Sequence, residues 1–166
     1  QRCNSTRRCY SAKMIVRVVA VDRIRTPYVA SACDDFRARL GTYHSYDEIE
    51  VRAGNGRDPQ AAMRDEAERI ARHLRDDDRM WLVDRSGKQL SSEALAARIG
   101  DVGRSGAQRL TLVIGGAYGT AGALRERAEF VWSLSELTFL HEWARAIVLE
   151  QLYRAAKIAR NEPYHH

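Results

Sequence analysis

Cysteine is scarce in this chain, three in 166 residues, and two of the three, Cys3 and Cys9, fall within the first thirteen positions. A disulfide framework needs cysteines that can pair inside the folded part, where Cys33 stands alone, so this usage argues against one and fits a reducing cytoplasm. Long apolar runs are missing too: no stretch approaches the roughly 20 residues of a membrane span. The opening segment from Gln1 to Lys13 has no apolar run of the ~7–15 residues a secretory signal requires. It is also free of acids while carrying Arg2, Arg7, Arg8 and Lys13. Residues 1–13 are therefore expected to be disordered, either a transit-like leader or a remnant of upstream read-through ahead of Met14. Metal-binding clusters are equally rare. Cys3, Cys9, His165 and His166 match no closed zinc-site spacing, so no metal is expected. Neither a Gly-Lys-Ser/Thr phosphate loop nor a dinucleotide fingerprint occurs anywhere.

What remains is charge and alternating apolar pattern. The formal net charge is +5 with a pI near 9.4, which invites a nucleic-acid reading. Setting aside the four bases of residues 1–13, however, leaves 23 bases against 22 acids. A protein gripping RNA chiefly by bulk phosphate attraction would show a clear basic excess on its domain. Any RNA binding must therefore come from a local patch or a composite surface. At 45% hydrophobic and 30% charged, residues 14–166 suffice for one domain and not for two.

Met14-Ile15-Val16-Arg17-Val18-Val19-Ala20-Val21 predicts a central strand covered on both faces. Residues 27–40 predict a helix with Val29, Cys33, Phe36 and Leu40 on one face. From Asp47 to Ala53, Ile49 and Val51 alternate with charges, as in an edge strand. Asp58-Pro59 gives a helix cap followed by proline at the first helical position, and that helix runs through Met63, Ala67, Ile70 and Leu74. Met80 to Asp84 predicts a buried strand, Ser86-Gly87 a turn, Ser92 the cap of a helix carrying Leu95 and Ile99, and Arg109 to Ile114 another strand. A last helix from Glu142 to Arg160 turns Ile147, Val148, Leu152 and Ala155 inward and Arg145, Arg154, Lys157 and Arg160 outward. Alternating strands and helices imply an α/β domain with a mostly parallel sheet flanked by helices, whose ligands sit beyond the carboxyl ends of the strands.

Two segments at such ends carry the chemistry. Ile114-Gly115-Gly116-Ala117-Tyr118-Gly119 is a strand running into a glycine turn, which by itself serves equally well as a plain strand-to-helix connection. Trp132 to His141 follows after room for one helix, and Ser133, Ser135 and Thr138 favour a shaped loop over a regular helix. Neither offers clustered acids, thiols or imidazoles. A ligand there would be gripped by main-chain N–H and C=O groups, which points to group transfer rather than hydrolysis. Asp84-Arg85-Ser86-Gly87 is placed to form the opposite wall.

The ordered series of the glycine turn, Trp132-Ser133-Leu134-Ser135 with Leu137-Thr138 and His141, Glu150-Gln151-Leu152-Tyr153-Arg154-Ala155, and Pro163-Tyr164-His165 resembles the RlmH family. These are large-subunit ribosomal RNA pseudouridine methyltransferases of the SPOUT superfamily. The resemblance covers about residues 14–166 as one SPOUT domain. It implies a C-terminal trefoil knot, a homodimer, a cytoplasmic setting and S-adenosyl-L-methionine as cofactor. The substrate it implies is N3 of a pseudouridine in 23S ribosomal RNA. Carried onto this sequence, cofactor contacts fall at Val83, Asp84, Gly115, Gly116, Ser135, Glu136, Leu137, Thr138, Phe139 and Leu140, with His141, Arg154, Tyr164 and His165 near the acceptor base. The chain departs from the family pattern at Phe139-Leu140, where many relatives carry proline, and at Glu142-Trp143-Ala144, which replaces a short aliphatic stretch. Another RNA target, or a catalytically silent RNA-binding knotted dimer on the ribosome, are the alternatives.

Overall fold

A computed structural model describes residues 14–55 and 57–164. Five strands, β1 (Ile15–Val21), β2 (Ser45–Val51), β3 (Arg79–Gln89), β4 (Arg109–Ile114) and β5 (Phe130–Ser133), form one sheet in the order β2-β1-β4-β3-β5, every pair parallel. The helices are α1 (Pro27–Gly41), α2 (Pro59–Ala71), α3 (Ser92–Arg104), α4 (Gly122–Arg127) and α5 (His141–Ala159). The α/β expectation and the parallel sheet hold. β4, the middle strand, is buried at all six positions, whereas β2, at the edge, buries only Val51 fully. That is the difference between a strand covered on both faces and one with a free side.

The pleat sorts the core into two layers. Val16, Val18 and Ala20 of β1 join Leu110, Leu112 and Ile114 of β4, beneath α1, α3 and α5. Val19, Val21, Leu82 and Val113 point the other way, against Ile70 of α2 and Leu124 of α4. Leu, Ile and Val side chains fully removed from water each contribute about 1.5–3 kcal/mol, so these layers are the main source of stability.

The end of the sheet opposite the candidate site is closed by a buried ion pair. Asp78, just before β3, receives Arg109 Nε at 2.5 Å and the Thr111 hydroxyl at 3.3 Å.

Several element-level expectations need correction. The β3 strand does not stop at Asp84; it runs to Gln89 with a bulge, since Val83 and Lys88 both oppose Trp132. The Ser86-Gly87 turn is thus absorbed into an irregular stretch of strand. Gly87 is needed there because a Cβ would run into the Val131 carbonyl. Ser91, not Ser92, caps α3, accepting from Ala94 N at 3.1 Å. Ser92 Oγ instead bonds Gln151 at 3.0 Å. The largest reversal concerns Arg145, expected outward and found fully buried. Its guanidinium donates to Glu48 (3.3 Å), Glu50 and the carbonyl of Asp22. A helical period cannot distinguish a solvated arginine from one whose partners lie on a distant strand.

Candidate active site

The register of the sheet sets where the site can be. Val83 opposes Ile114 on one side and Trp132 on the other, so the next steps along three neighbouring strands are Asp84, Gly115 and Ser133. Parallel strands end at one edge of the sheet, and three of the predicted segments therefore meet: Val83-Asp84, Gly115-Gly116 and the segment after β5.

The glycine turn is tightly folded. Gly119 N–H donates to the Gly116 carbonyl at 3.1 Å, and Gly119 adopts φ +92°, a conformation that favours glycine. A Cβ on Gly115 would fall within 2.8 Å of the Gly119 carbonyl oxygen and press on the Thr120 methyl. At Gly116 a Cβ would lie 2.8 Å from both carboxylate oxygens of Glu66. The turn itself thus demands glycine at position 115, while at position 116 it is the Glu66 carboxylate of α2 that leaves little room for a side chain.

Asp84 is fixed across from this turn. Its carboxylate accepts the Ser86 N–H at 2.9 Å and the Ser86 hydroxyl, and Arg125 of α4 stands 3.6 Å away. Arg125 also donates to Ser86 Oγ at 2.7 Å. Burial alone would raise the Asp84 carboxyl, but the Ser86 hydrogen bonds and the Arg125 charge outweigh it and hold the group below its ordinary range.

Residues 134–140 form an irregular segment between β5 and α5. Two hydroxyls shape it: Ser133 Oγ donates to the Ser135 carbonyl at 2.9 Å, and Ser135 Oγ accepts Leu137 N–H at 3.1 Å. Glu136, Leu137, Thr138, Phe139 and Leu140 are all exposed. The N–H groups of Glu136, Thr138 and Phe139 make no backbone hydrogen bond among the described residues. Unused main-chain donors on an exposed, hydroxyl-braced loop are what a ligand bound through backbone would need.

His141 closes that loop as the first residue of α5, with its Nε2 enclosed and without a hydrogen-bond partner among the described residues. Its neighbour Glu142 accepts the N–H groups of Arg25 (2.9 Å) and Thr26 (3.1 Å), tying the start of α5 to the loop after β1. Arg154 and Tyr164 lie elsewhere. Arg154 lies thirteen residue steps along α5 from His141, about 20 Å at 1.5 Å per residue. Both belong to a cluster around Glu150, which accepts Arg154 Nη2 at 2.7 Å and the Tyr164 hydroxyl, while the Arg154 guanidinium sits 3.4 Å from the Tyr164 ring centre. His165 lies outside the described residues, as do Cys3, Cys9, His166 and the rest of residues 1–13. No group of three potential metal ligands occurs among the described residues, nor any helix long and apolar enough to cross a membrane.

Sequence reasoning missed Glu66. It is 5% exposed, accepts Gly54 N–H at 3.0 Å, and packs on Gly116, so it touches the loops after both β2 and β4. The clue was its place four residues from Ala62 and from Ile70, on the stripe of α2 that faces the sheet.

A family model described as a predicted SPOUT methyltransferase matches residues 14–165. The chain belongs to this family. It is 39% identical over 159 residues to the ribosomal RNA large subunit methyltransferase H of Bifidobacterium adolescentis, covering 92% of this chain and 99% of that one. It is 40% identical over 153 residues to the protein of the same name from Pelobacter propionicus, covering 92% and 100%. A putative ribosomal RNA large subunit methyltransferase H of Methanococcus maripaludis is 34% identical over 160 residues. Among solved structures, the SpoU methyltransferase AviRb of Streptomyces viridochromogenes, in complex with AdoMet, gives a TM-score of 0.46 at 14% identity over 91% of this chain and 60% of that one, too slight a likeness to build on. The SPOUT family match spans every strand end that makes up the site.

Proposed function

We propose that the chain is an S-adenosyl-L-methionine-dependent methyltransferase that methylates N3 of a pseudouridine in 23S ribosomal RNA, working in the cytoplasm. The observation that carries this reading is that Val83-Asp84, Gly115-Gly116 and the segment leading into Ser135–Leu140 leave the sheet at one edge, in a SPOUT chain whose near-full-length relatives are named for large-subunit ribosomal RNA methylation.

The residues fit the cofactor through their main-chain donors. Glu136, Thr138 and Phe139 offer free N–H groups to polar edges of the ligand, Leu137 and Leu140 its apolar cover, and the Gly115-Gly116 turn an approach without side chains. When bound, S-adenosyl-L-methionine supplies a sulfonium methyl group open to in-line displacement by a ring nitrogen. The protein's own task is to orient the acceptor base and ease loss of its imide proton. Arg154 favours the imide anion, Tyr164 or His165 holds the base edge, and His141 borders the cofactor loop.

The separation of about 20 Å between His141 and Arg154 along α5 favours a site completed by a second copy. Tyr28 and Trp143 are 68% and 45% exposed, and their rings stand 5.9 Å apart. This apolar face beside the cofactor loop is the homodimer contact we propose. The connection from β4 to β5 crosses the end of β3, which lies between them, and α5 then returns over α1 and α3. That path is compatible with a C-terminal trefoil knot.

The direct test is incubation with labelled cofactor and large ribosomal subunits from cells lacking such an enzyme, followed by mass-spectrometric mapping. A methyl group on N3 of a pseudouridine is expected. Cofactor binding without transfer to any ribosomal particle would overturn the assigned target.

A further inference from the structure

Residues 14–166 are nearly neutral as a whole, yet their charges are not evenly placed in the fold. Because every strand is parallel, the linkers divide cleanly between the two edges of the sheet. At the carboxyl edge, which holds the candidate active site, Arg23 follows β1, Arg52 and Arg57 follow β2, and Arg85 sits in the bulge of β3. All four are exposed, and none of their side chains makes an ion pair or hydrogen bond among the described residues.

Of the acids in the linkers at the same edge, only Glu136 is exposed without a side-chain partner among the described residues; the others are turned to internal use. Asp22 accepts Arg23 N–H at 2.9 Å and pairs with Arg25 at 3.2 Å. Asp58 caps α2 by accepting Gln60 N–H at 3.0 Å, and Asp84 is held by Ser86 and Arg125 as described. At the amino edge the balance is reversed: the linkers there carry Arg72 and Arg75 against Asp76, Asp77, Asp78 and Glu129. The amino ends of α1, α2, α3 and α5 also face the carboxyl edge and add to its positive potential.

We propose that Arg23, Arg52, Arg57 and Arg85 form a cationic rim that takes backbone phosphates of the RNA around the target base. Unpaired guanidinium groups suit phosphate because their planar donors bind it bidentately and stay charged at any working pH. The rim supplies the local patch that a neutral domain requires. It rests on the reading of the chain as an RNA methyltransferase only for the identity of the RNA; the phosphate surface itself follows from the placement of charge.

The test uses the full chain and isolated large ribosomal subunits. Affinity is measured by co-sedimentation over a potassium chloride series for the wild type, for R23Q/R52Q/R57Q/R85Q, and for R72Q/R75Q/R104Q/R127Q as an equal charge change at the amino edge. Each arginine–phosphate pairing removed lowers the slope of log K against log salt by about one. The rim variant, with four arginines removed, is expected to lose about three to four in slope and roughly tenfold to a hundredfold in affinity, with cofactor affinity by calorimetry unchanged. The amino-edge variant is expected to stay within about threefold of wild type. Equal losses in the two variants, or an unchanged slope in the rim variant, overturn the rim. Should the wild type bind subunits with the expected slopes yet transfer no methyl group, the rim stands and the proposed activity falls. Methylation with an unaltered RNA KM in the rim variant does the reverse: the rim falls and the activity stands.

Discussion

Both carboxylate oxygens of Glu66 lie 2.8 Å from the point where a Cβ on Gly116 would stand. Glu66 is buried and also accepts Gly54 N–H, so it locks the loop after β2 to the glycine turn after β4. Gly116→Ala must push the carboxylate away, and overpacking of this kind costs about 1–3 kcal/mol. We expect G116A to lower the melting temperature and weaken cofactor binding while leaving binding to ribosomal subunits intact. In the double variant with Glu66→Ala the penalty should shrink, giving a coupling of about 0.5–3 kcal/mol between the two sites. Strict additivity by thermal melts, with calorimetric cofactor affinities to match, would show that the clash is not the cause.

Arg145 is the charge on which the β2 side of the molecule turns. Its guanidinium is fully buried between Glu48, Glu50 and the Asp22 carbonyl, and Glu48 is shared with Arg37 at 2.7 Å. Removing one partner of a buried ionic cluster leaves uncompensated charge and typically costs 3–5 kcal/mol, whereas an exposed pair such as Arg104 with Asp101 is worth about 0–1 kcal/mol. Arg145→Met should therefore destabilise strongly in urea titrations and Arg104→Gln hardly at all. Comparable midpoints for the two would contradict the burial argument.

These two residues also mark the limit of what the sequence made legible. Strands and helices follow from local period, and the strands and helices expected before Trp132 are present, although β3 runs five residues past its predicted end at Asp84 and absorbs the expected Ser86-Gly87 turn. The meeting of Asp84, Gly115 and the loop after Ser133 could be anticipated because parallel strands place their carboxyl ends together. Glu66, Glu142 and Arg145 could not, since each is satisfied by a group far along the chain: Gly54, the N–H groups of Arg25 and Thr26, and Glu50. A charged residue on an apolar stripe hints at burial, but the partner comes only from tertiary structure. The bulge in β3 was hidden for a related reason: Gly87 looks like a turn until the approach of Val131 explains it.

Ser135 holds the loop proposed to bind the cofactor in shape through a single hydroxyl. Its Oγ accepts Leu137 N–H at 3.1 Å while its carbonyl accepts the Ser133 hydroxyl. The segment is exposed and carries little of the core, so Ser135→Ala should barely change the melting temperature. A neutral hydrogen bond is worth about 0.5–1.5 kcal/mol, which translates to a loss of roughly threefold to tenfold in cofactor affinity by calorimetry. Ser135→Thr keeps the hydroxyl and is expected to restore most of it. An alanine variant with wild-type affinity would mean the loop is shaped by its neighbours alone.

Glu142 anchors the other end of that loop, and its effect depends on pH with a definite sign. Hydrogen bonds from Arg25 N–H, and then from Thr26, hold its carboxyl below the ordinary value of 4.5. A carboxyl depressed in the folded state binds fewer protons there than in the unfolded chain, so stability rises with pH through this window. Its contribution is fully present above about pH 4.5 and drains away as pH falls through the lowered folded value. Glu142→Gln removes the titration while keeping an acceptor for one of the two N–H groups. Thermal melts from pH 3 to 7 should show wild type above E142Q at neutral pH, with the gap closing below about pH 4.5. A gap that stays constant across the series would mean the carboxylate charge plays no part in joining α5 to the loop after β1, and the segment before α5 would then owe its position to the packing of His141 and Ala144 instead.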